Sequence, residues 1–260
     1  MRARDYPFFD AAFLALAHRG GAHLPANEGR ENTLYAFDNA VALGYRYLET
    51  DVHATSDGVL VAFHDERLDR VTDSTGLIAE RTWAELSTVT VGEQDRIPRL
   101  VDVLVRFPDT RFNIDAKSAA AVDLLADAIE HLNLHERVCV SSFSPRRLAR
   151  LRARLGRRVA SSLSQPGVAW TRFATPLARI LPAPGQALQI PVRRRILGRE
   201  VTIVTPDLIE AAHRHGKQVH VWTIDEPAEM ERLIDLGVDG IFTDRPDLLR
   251  EVLVGRGLWD

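Results

Sequence analysis

Eight short apolar runs, separated by longer stretches with helical spacing, constrain this chain more than any other feature. The runs fall at residues 13–17, 47–52, 111–117, 138–143, 159–163, 187–191, 218–224 and 240–243. Each has the length of a buried strand. Between them, Leu34, Phe37 and Val41, and then Val122, Leu125, Ala126 and Ile129, recur at helical intervals. Such alternation implies parallel strands joined by right-handed crossovers. Eight units in 260 residues predict one α/β domain over 1–260, a TIM (β/α)8 barrel. An open doubly wound sheet competes, but no glycine-rich dinucleotide turn follows the first run.

Local signals refine the order. Thr33 is placed to cap a helix that Gly44 ends. Ser56-Asp57-Gly58 predicts a hairpin whose second arm, 59–63, ends at His64. This opens an insertion after the second strand, about 53–96, read as irregular apart from a short helix near 83–86. Further helices are expected over 100–107, 120–132, 145–155, 207–215, 227–236 and 246–254. Residues 166–186, punctuated by Pro and Gly, read as a long loop carrying Trp170, Phe173, Leu177, Ile180 and Leu181. A second loop joins the sixth run to Pro206.

Composition excludes several classes. A net charge of −3 and a pI near 6.3 argue against a broad nucleic-acid or anionic-membrane surface. The single cysteine, Cys139, rules out an intramolecular disulfide and a cysteine-based metal site, and its apolar neighbours mark it as a small core residue. Asp5 and Asp10 interrupt what would be a secretory signal, and no uncharged run approaches the ~20 residues that span a bilayer. A cytoplasmic location is the expectation. Only two of the 33 basic residues are lysines, Lys117 and Lys217, so a lysine on an inward strand position is conspicuous.

The chemistry concentrates at strand ends. His18-Arg19-Gly20-Gly21 closes the first run, and Gly-Gly forces an immediate turn. In a strand, residues i and i+2 share a face. Glu49 therefore points with Asp51, and Asn113 and Asp115 point with Lys117. Carboxylates converging on one barrel mouth do not all ionise without a cation among them. Oxygen-only donors favour Mg²⁺ or Ca²⁺ over Zn²⁺. Arg19 and Lys117 suit phosphate oxygens, although Arg19 has Glu31 as an alternative ion-pair partner. His18 and His64 each end a strand-like run and suit proton transfer. His53, on the Glu49/Asp51 face, reads as a supporting or structural residue, and His131, His135, His213 and His215 as surface residues. Trp222 ends the seventh run, where it serves either as a barrel-core residue or as an aromatic wall for a cationic or acyl-glycerol group.

The ordered set His18-Arg19-Gly20, Glu31-Asn32-Thr33, Glu49-Thr50-Asp51-Val52, Asp57-Gly58-Val59-Leu60-Val61, His64-Asp65, Asn113-Ile114-Asp115-Ala116-Lys117, Ser141-Ser142-Phe143 and Gly237-Val238-Asp239-Gly240-Ile241-Phe242-Thr243-Asp244 resembles the glycerophosphodiester phosphodiesterase family, from about residue 14 to 252. The resemblance implies a TIM barrel that hydrolyses small-molecule glycerophosphodiesters to sn-glycerol 3-phosphate and an alcohol. It implies one divalent cation on Glu49, Asp51 and Asp115, acid–base catalysis by His18 and His64, and phosphate contacts from Arg19 and Lys117. It also implies attack by the substrate's own 2-hydroxyl. One departure is Asp115, where the family often has glutamate; the 166–186 loop has no obvious family counterpart.

The segment from Gln189-Ile190-Pro191 through Val204-Thr205-Pro206 to Val219–Ile224 looks like the branch that cleaves lysophospholipids to lysophosphatidic acid, with Trp222 facing the substrate. That branch is the alternative expectation, with transient membrane-surface contact through 166–186. A barrel that binds phosphodiesters without cleaving them is a third reading, disfavoured by the two histidines. An unrelated Zn²⁺ hydrolase would require histidine ligands that the strand ends lack.

Overall fold

A computed structural model describes residues 1–92, 94–174 and 180–259. Its strands are β1 (Leu14–Ala17), β2 (Tyr47–Ala54), β3 (Leu60–Ala62), β4 (Thr90–Val91), β5 (Asp95–Arg96), β6 (Arg111–Ala116), β7 (Val138–Ser141), β8 (Ala160–Ser161), β9 (Ala187–Pro191), β10 (Arg193–Ile196), β11 (Arg199–Thr202), β12 (Gln218–Trp222) and β13 (Gly240–Thr243). The helices are α1 (Leu34–Ala42), α2 (Trp83–Leu86), α3 (Leu100–Arg106), α4 (Ala120–His131), α5 (Pro145–Leu155), α6 (Gln165–Phe173), α7 (Pro206–Arg214), α8 (Pro227–Leu236) and α9 (Pro246–Gly255).

The strands pair in the order β8-β7-β6-β2-β1-β13-β12-β9, with β3 antiparallel on β2. A parallel bridge between Ser162 and Ala187 joins the two ends. The result is the nearly closed eight-stranded (β/α) barrel that the run count predicts.

Alternation along the strands sorts side chains into layers. Ala15, Ala17, Leu48, Val52, Phe112, Ile114, Val138 and Val140 face the helices and form the main core with Leu125, Ile129, Leu148 and Leu151. Leu14, Leu16, Tyr47, Cys139, Ala187 and Phe242 form a second cluster, which Phe8 and Phe9 of the N-terminal segment join. Tyr47 shares its strand face with Glu49 and Asp51, so β2 runs from this apolar plug into a polar mouth. The insertion builds its own small core from Val61, Phe63, Leu68, Ile78, Leu86 and Ile97.

Two expectations fail. Residues 166–186 are not one loop: α6 occupies 165–173, started by Ser164, whose hydroxyl accepts from the Gly167 amide, with Pro166 in the first turn. Proline is tolerated there because that N–H has no helical partner. Leu177 lies outside the described residues. The link from the sixth strand to Pro206 is not a plain loop either, since β10 and β11 form an antiparallel hairpin across it. Its arginines lack the apolar alternation that marks a strand.

Candidate active site

The polar mouth is set by strand register. Asp51 lies opposite Asp115, and Glu49 opposite Asn113. All four are buried, with Asp51 only 2% exposed. The Lys117 ammonium bridges Asp51 at 2.8 Å and Asp115 at 2.7 Å. His18, Arg19, Glu49, Asp51, His64, Asp115, Lys117 and Trp222 all line one cavity of about 270 Å³. Strand pairing thus assembles groups that are far apart in sequence.

The turn after β1 is made by its glycines. Arg19, Gly20 and Gly21 have φ of 51°, 84° and 86°. A Cβ on Gly21 would come within 2.5 Å of Pro246, so only glycine fits. Arg19 in the left-handed region is a strained residue at the mouth. Its backbone N–H donates to Glu49 Oε2 at 3.1 Å, and its guanidinium pairs with Glu31 at 3.0 Å. The ion-pair alternative for Arg19 is therefore present, and Arg19 Nε also lies 3.4 Å from Asp51 Oδ2.

Both histidines are held at Nδ1 by a carboxylate. His18 meets Asp244 Oδ1 at 2.8 Å, and His64 meets Asp65 Oδ1 at 2.6 Å. Each pairing engages Nδ1 and leaves Nε2 clear of that carboxylate, and His18 Nε2 lies 3.8 Å from Glu49. Burial opposes the His18 imidazolium, but Glu49 and Asp244 outweigh it and hold the ring above its ordinary value. Arg70 and His64 hydrogen bonds hold the Asp65 carboxyl down at about 2, against partial burial. His53 Nε2 sits 3.0 Å from the His64 carbonyl.

Sequence reasoning gave no role to Asp244, Asp65, Asn32 or Gln189. Asn32 accepts from Thr50 at 2.7 Å and reaches Asp51 at 3.4 Å. Gln189 donates to Asn113 at 2.7 Å. His64-Asp65 is adjacent in sequence and could have been paired; Asp244 could not, being 226 residues from His18.

The donor chemistry of the carboxylates, though not their spacing in this structure, suits a hard cation. Burial, then the Asp51 charge, push Glu49 upward, and burial raises Asp115 despite Lys117. Asp115 Oδ1 is buried without a hydrogen-bond partner. The three carboxylates face one ammonium and an arginine shared with Glu31, so negative charge is left over. An oxygen-only donor set is what Mg²⁺ or Ca²⁺ prefers. Among the described residues, however, the three potential donors lying within 4.8 Å of one another are His23, Asp225 and Asp244. Glu49, Asp51 and Asp115 are held wider apart, with Lys117 between two of them.

The rest of the lining mixes polar residues, among them Ser142, Gln165, Arg172 and Arg194, with an apolar group. Leu163, Val168, Ile190, Ile196, Ile203 and Phe173 form one wall. Trp222 faces the cavity and meets Phe143 edge-on, with centroids 5.7 Å apart.

A parallel barrel with imidazoles, buried carboxylates and a lysine gathered at its mouth has the side-chain set of a phosphate-ester hydrolase. The glycerophosphoryl diester phosphodiesterase family model matches residues 18–248. A relative from Mycobacterium tuberculosis, called probable glycerophosphodiester phosphodiesterase 2, is 42% identical, over 95% of this chain and 93% of that protein. A glycerophosphodiester phosphodiesterase from Caldanaerobacter subterraneus is 33% identical over 91% and 96%. The crystal structure of a glycerophosphodiester phosphodiesterase from Agrobacterium tumefaciens superposes with a TM-score of 0.76 at 25% identity, over 94% of this chain and 100% of that one. The chain belongs to the glycerophosphoryl diester phosphodiesterase family, and it is an enzyme.

Proposed function

We propose that this enzyme hydrolyses glycerophosphodiesters to sn-glycerol 3-phosphate and an alcohol, with His18 and His64 as the proton carriers. The observation that carries the reading is the pair of imidazoles, each fixed at Nδ1 by a carboxylate, beside buried acids and Lys117. Glu49, Asp51 and Asp115 would hold one divalent cation, Mg²⁺ or Ca²⁺, which neutralises charge on the phosphoryl oxygens. Lys117 and Arg19 supply positive charge to the phosphate. His18 Nε2 takes the proton from the attacking hydroxyl or water, and His64 Nε2 gives one to the leaving alcohol. Asp244 and Asp65 keep each ring in the tautomer that exposes Nε2. Trp222 borders the substrate opposite the polar wall.

Turnover of glycerophosphocholine, with added Mg²⁺ or Ca²⁺ and with EDTA, tests this. His18→Ala and His64→Ala should each cost ~10²–10⁴-fold in kcat with unchanged circular dichroism. Near-normal activity in either variant would remove that histidine from the chemistry.

The apolar wall supports a second reading, lysophospholipase D activity. An acyl chain needs such a wall, whereas a deacylated diester does not. Comparing kcat/KM for glycerophosphocholine and lysophosphatidylcholine separates the two, and Ile203→Asp should depress only the latter.

A further inference from the structure

The β10–β11 hairpin has a tip that its own physics opposes. Ile196 pairs with Arg199, leaving a two-residue turn in which Leu197 and Gly198 have φ of 49° and 79°. Positive φ at both positions is the turn for which Asn-Gly is preferred. Leucine is strained there, and this leucine is 99% exposed. A residue disfavoured by both backbone and solvent points to a role outside the folded chain.

Its surroundings share the character. Phe173, Ile180 and Leu181 are 55%, 75% and 62% exposed. Arg172 donates to the Thr202 carbonyl at 3.2 Å, tying α6 to the hairpin. Trp170 donates to the Leu181 carbonyl at 2.9 Å, tying in the segment that follows. Ile196, Phe173 and Arg194 also line the cavity, so this apolar rim borders its entrance.

Charge is polarised as well. No Asp or Glu occurs between Glu136 and Glu200, although the chain as a whole carries −3. The α5 arginines Arg150, Arg154 and, just beyond, Arg158 are paired with Asp123, Asp127 and Glu130. The hairpin has four arginines against one glutamate, and that glutamate pairs with Arg193. A positive rim studded with exposed apolar side chains fits an interface of anionic headgroups over acyl chains.

We propose that the 193–202 hairpin, with the exposed end of α6 and Ile180-Leu181, seats the cavity mouth on an anionic phospholipid surface. Leu197 enters the headgroup boundary while Arg195 and Arg199 contact lipid phosphates. The proposal deepens the phosphodiesterase reading by placing the source of substrate at that surface, but its test needs no turnover.

Full-length protein in EDTA is sedimented with phosphatidylcholine vesicles, with and without phosphatidylglycerol. Binding should require the anionic lipid and fall with added salt. Leu197→Asn, which suits the turn, should weaken binding about tenfold, and Arg195→Gln with Arg199→Gln by about tenfold or more. Turnover of soluble glycerophosphocholine should be unchanged in all. Equal binding to both vesicle types, or variants that bind like the parent, would overturn the proposal. A dimer in gel filtration that Leu197→Asn dissociates would overturn it too, by assigning the rim to a second copy of the chain. Failure of soluble turnover with vesicle binding intact would instead count against the phosphodiesterase reading alone.

Discussion

His18 is partly buried yet is pushed toward its charged form, because Glu49 and Asp244 outweigh burial. Asp244 has a second effect, since its Oδ1 at 2.8 Å fixes the ring. Asp244→Asn keeps a polar atom there but removes the charge. The His18 pKa should then fall, moving the limb of the kcat/KM–pH profile that reports it to lower pH, with kcat down about tenfold or more. A limb that stays in place would mean that another group titrates. Glu49, Asp51, Asp115 and Lys117 were legible in the sequence because strand alternation fixes which residues share a face. Asp244 was not, because its partnership with His18 exists only once β1 and β13 pair. The distance separating the three carboxylates, and Lys117 standing between two of them, likewise depend on side-chain packing that no spacing encodes.

At the scale of elements, a comparable clasp lies outside the site. His213 on α7 contacts Asp239 Oδ2 at 2.8 Å, and the same oxygen accepts from the Val219 amide at 2.7 Å. The helix is thereby tied to β12 and to the turn before β13. The Asp239 hydrogen bond raises the His213 pKa against the effect of burial. A raised imidazole pKa stabilises the fold fully below about 6.5, and this contribution disappears as pH rises through the native value. With His213 41% exposed, screening limits it to under ~1 kcal/mol. His213→Gln should therefore lower Tm by no more than ~2–4 °C near pH 5.5 and hardly at all near pH 9. An equal loss at both pH values would show that packing rather than charge is at work. Most helices were readable from caps and stripes: Thr33 accepts from the Ala36 amide as its position implies. α6 was hidden because Pro166 and Gly167 look like loop punctuation, although Ser164 before them is a helix start. The hairpin was hidden because an arginine-rich ribbon at the cavity rim carries no apolar period.

For the molecule as a whole, closure of the barrel is the step least secured by the backbone. β8 has only two residues, and it meets β9 through the Ser162–Ala187 bridge, with Leu163 donating to Ala187 and Gln186 to Ser161, each at 2.8 Å. Side chains reinforce this seam. Arg152 of α5 donates to Ser161 Oγ at 2.9 Å, to the Ser162 carbonyl and to the Pro184 carbonyl at 3.0 Å. Gln186 accepts from the Ser161 amide at 3.0 Å, and the Lys217 ammonium reaches the Gly185 carbonyl. Burial and the nearby Arg152 charge push Lys217 down to about 8, so these cations are held where water is scarce. A Cβ on Gly185 would lie 2.6 Å from the Ser162 carbonyl oxygen, which shows how close the two edges come. Arg152→Ala removes three charge-assisted bonds and leaves carbonyls unpaired, a loss of about 3 kcal/mol. Since the Leu163 and Ile190 side chains on either side of this seam wall the cavity, its opening should reach the site. The variant should exchange the Leu163 and Gln186 amides faster than those of β2 and β6, with lower Tm and a raised KM. Uniformly faster exchange across all strands would instead mean that the barrel opens as one cooperative unit and has no weak edge.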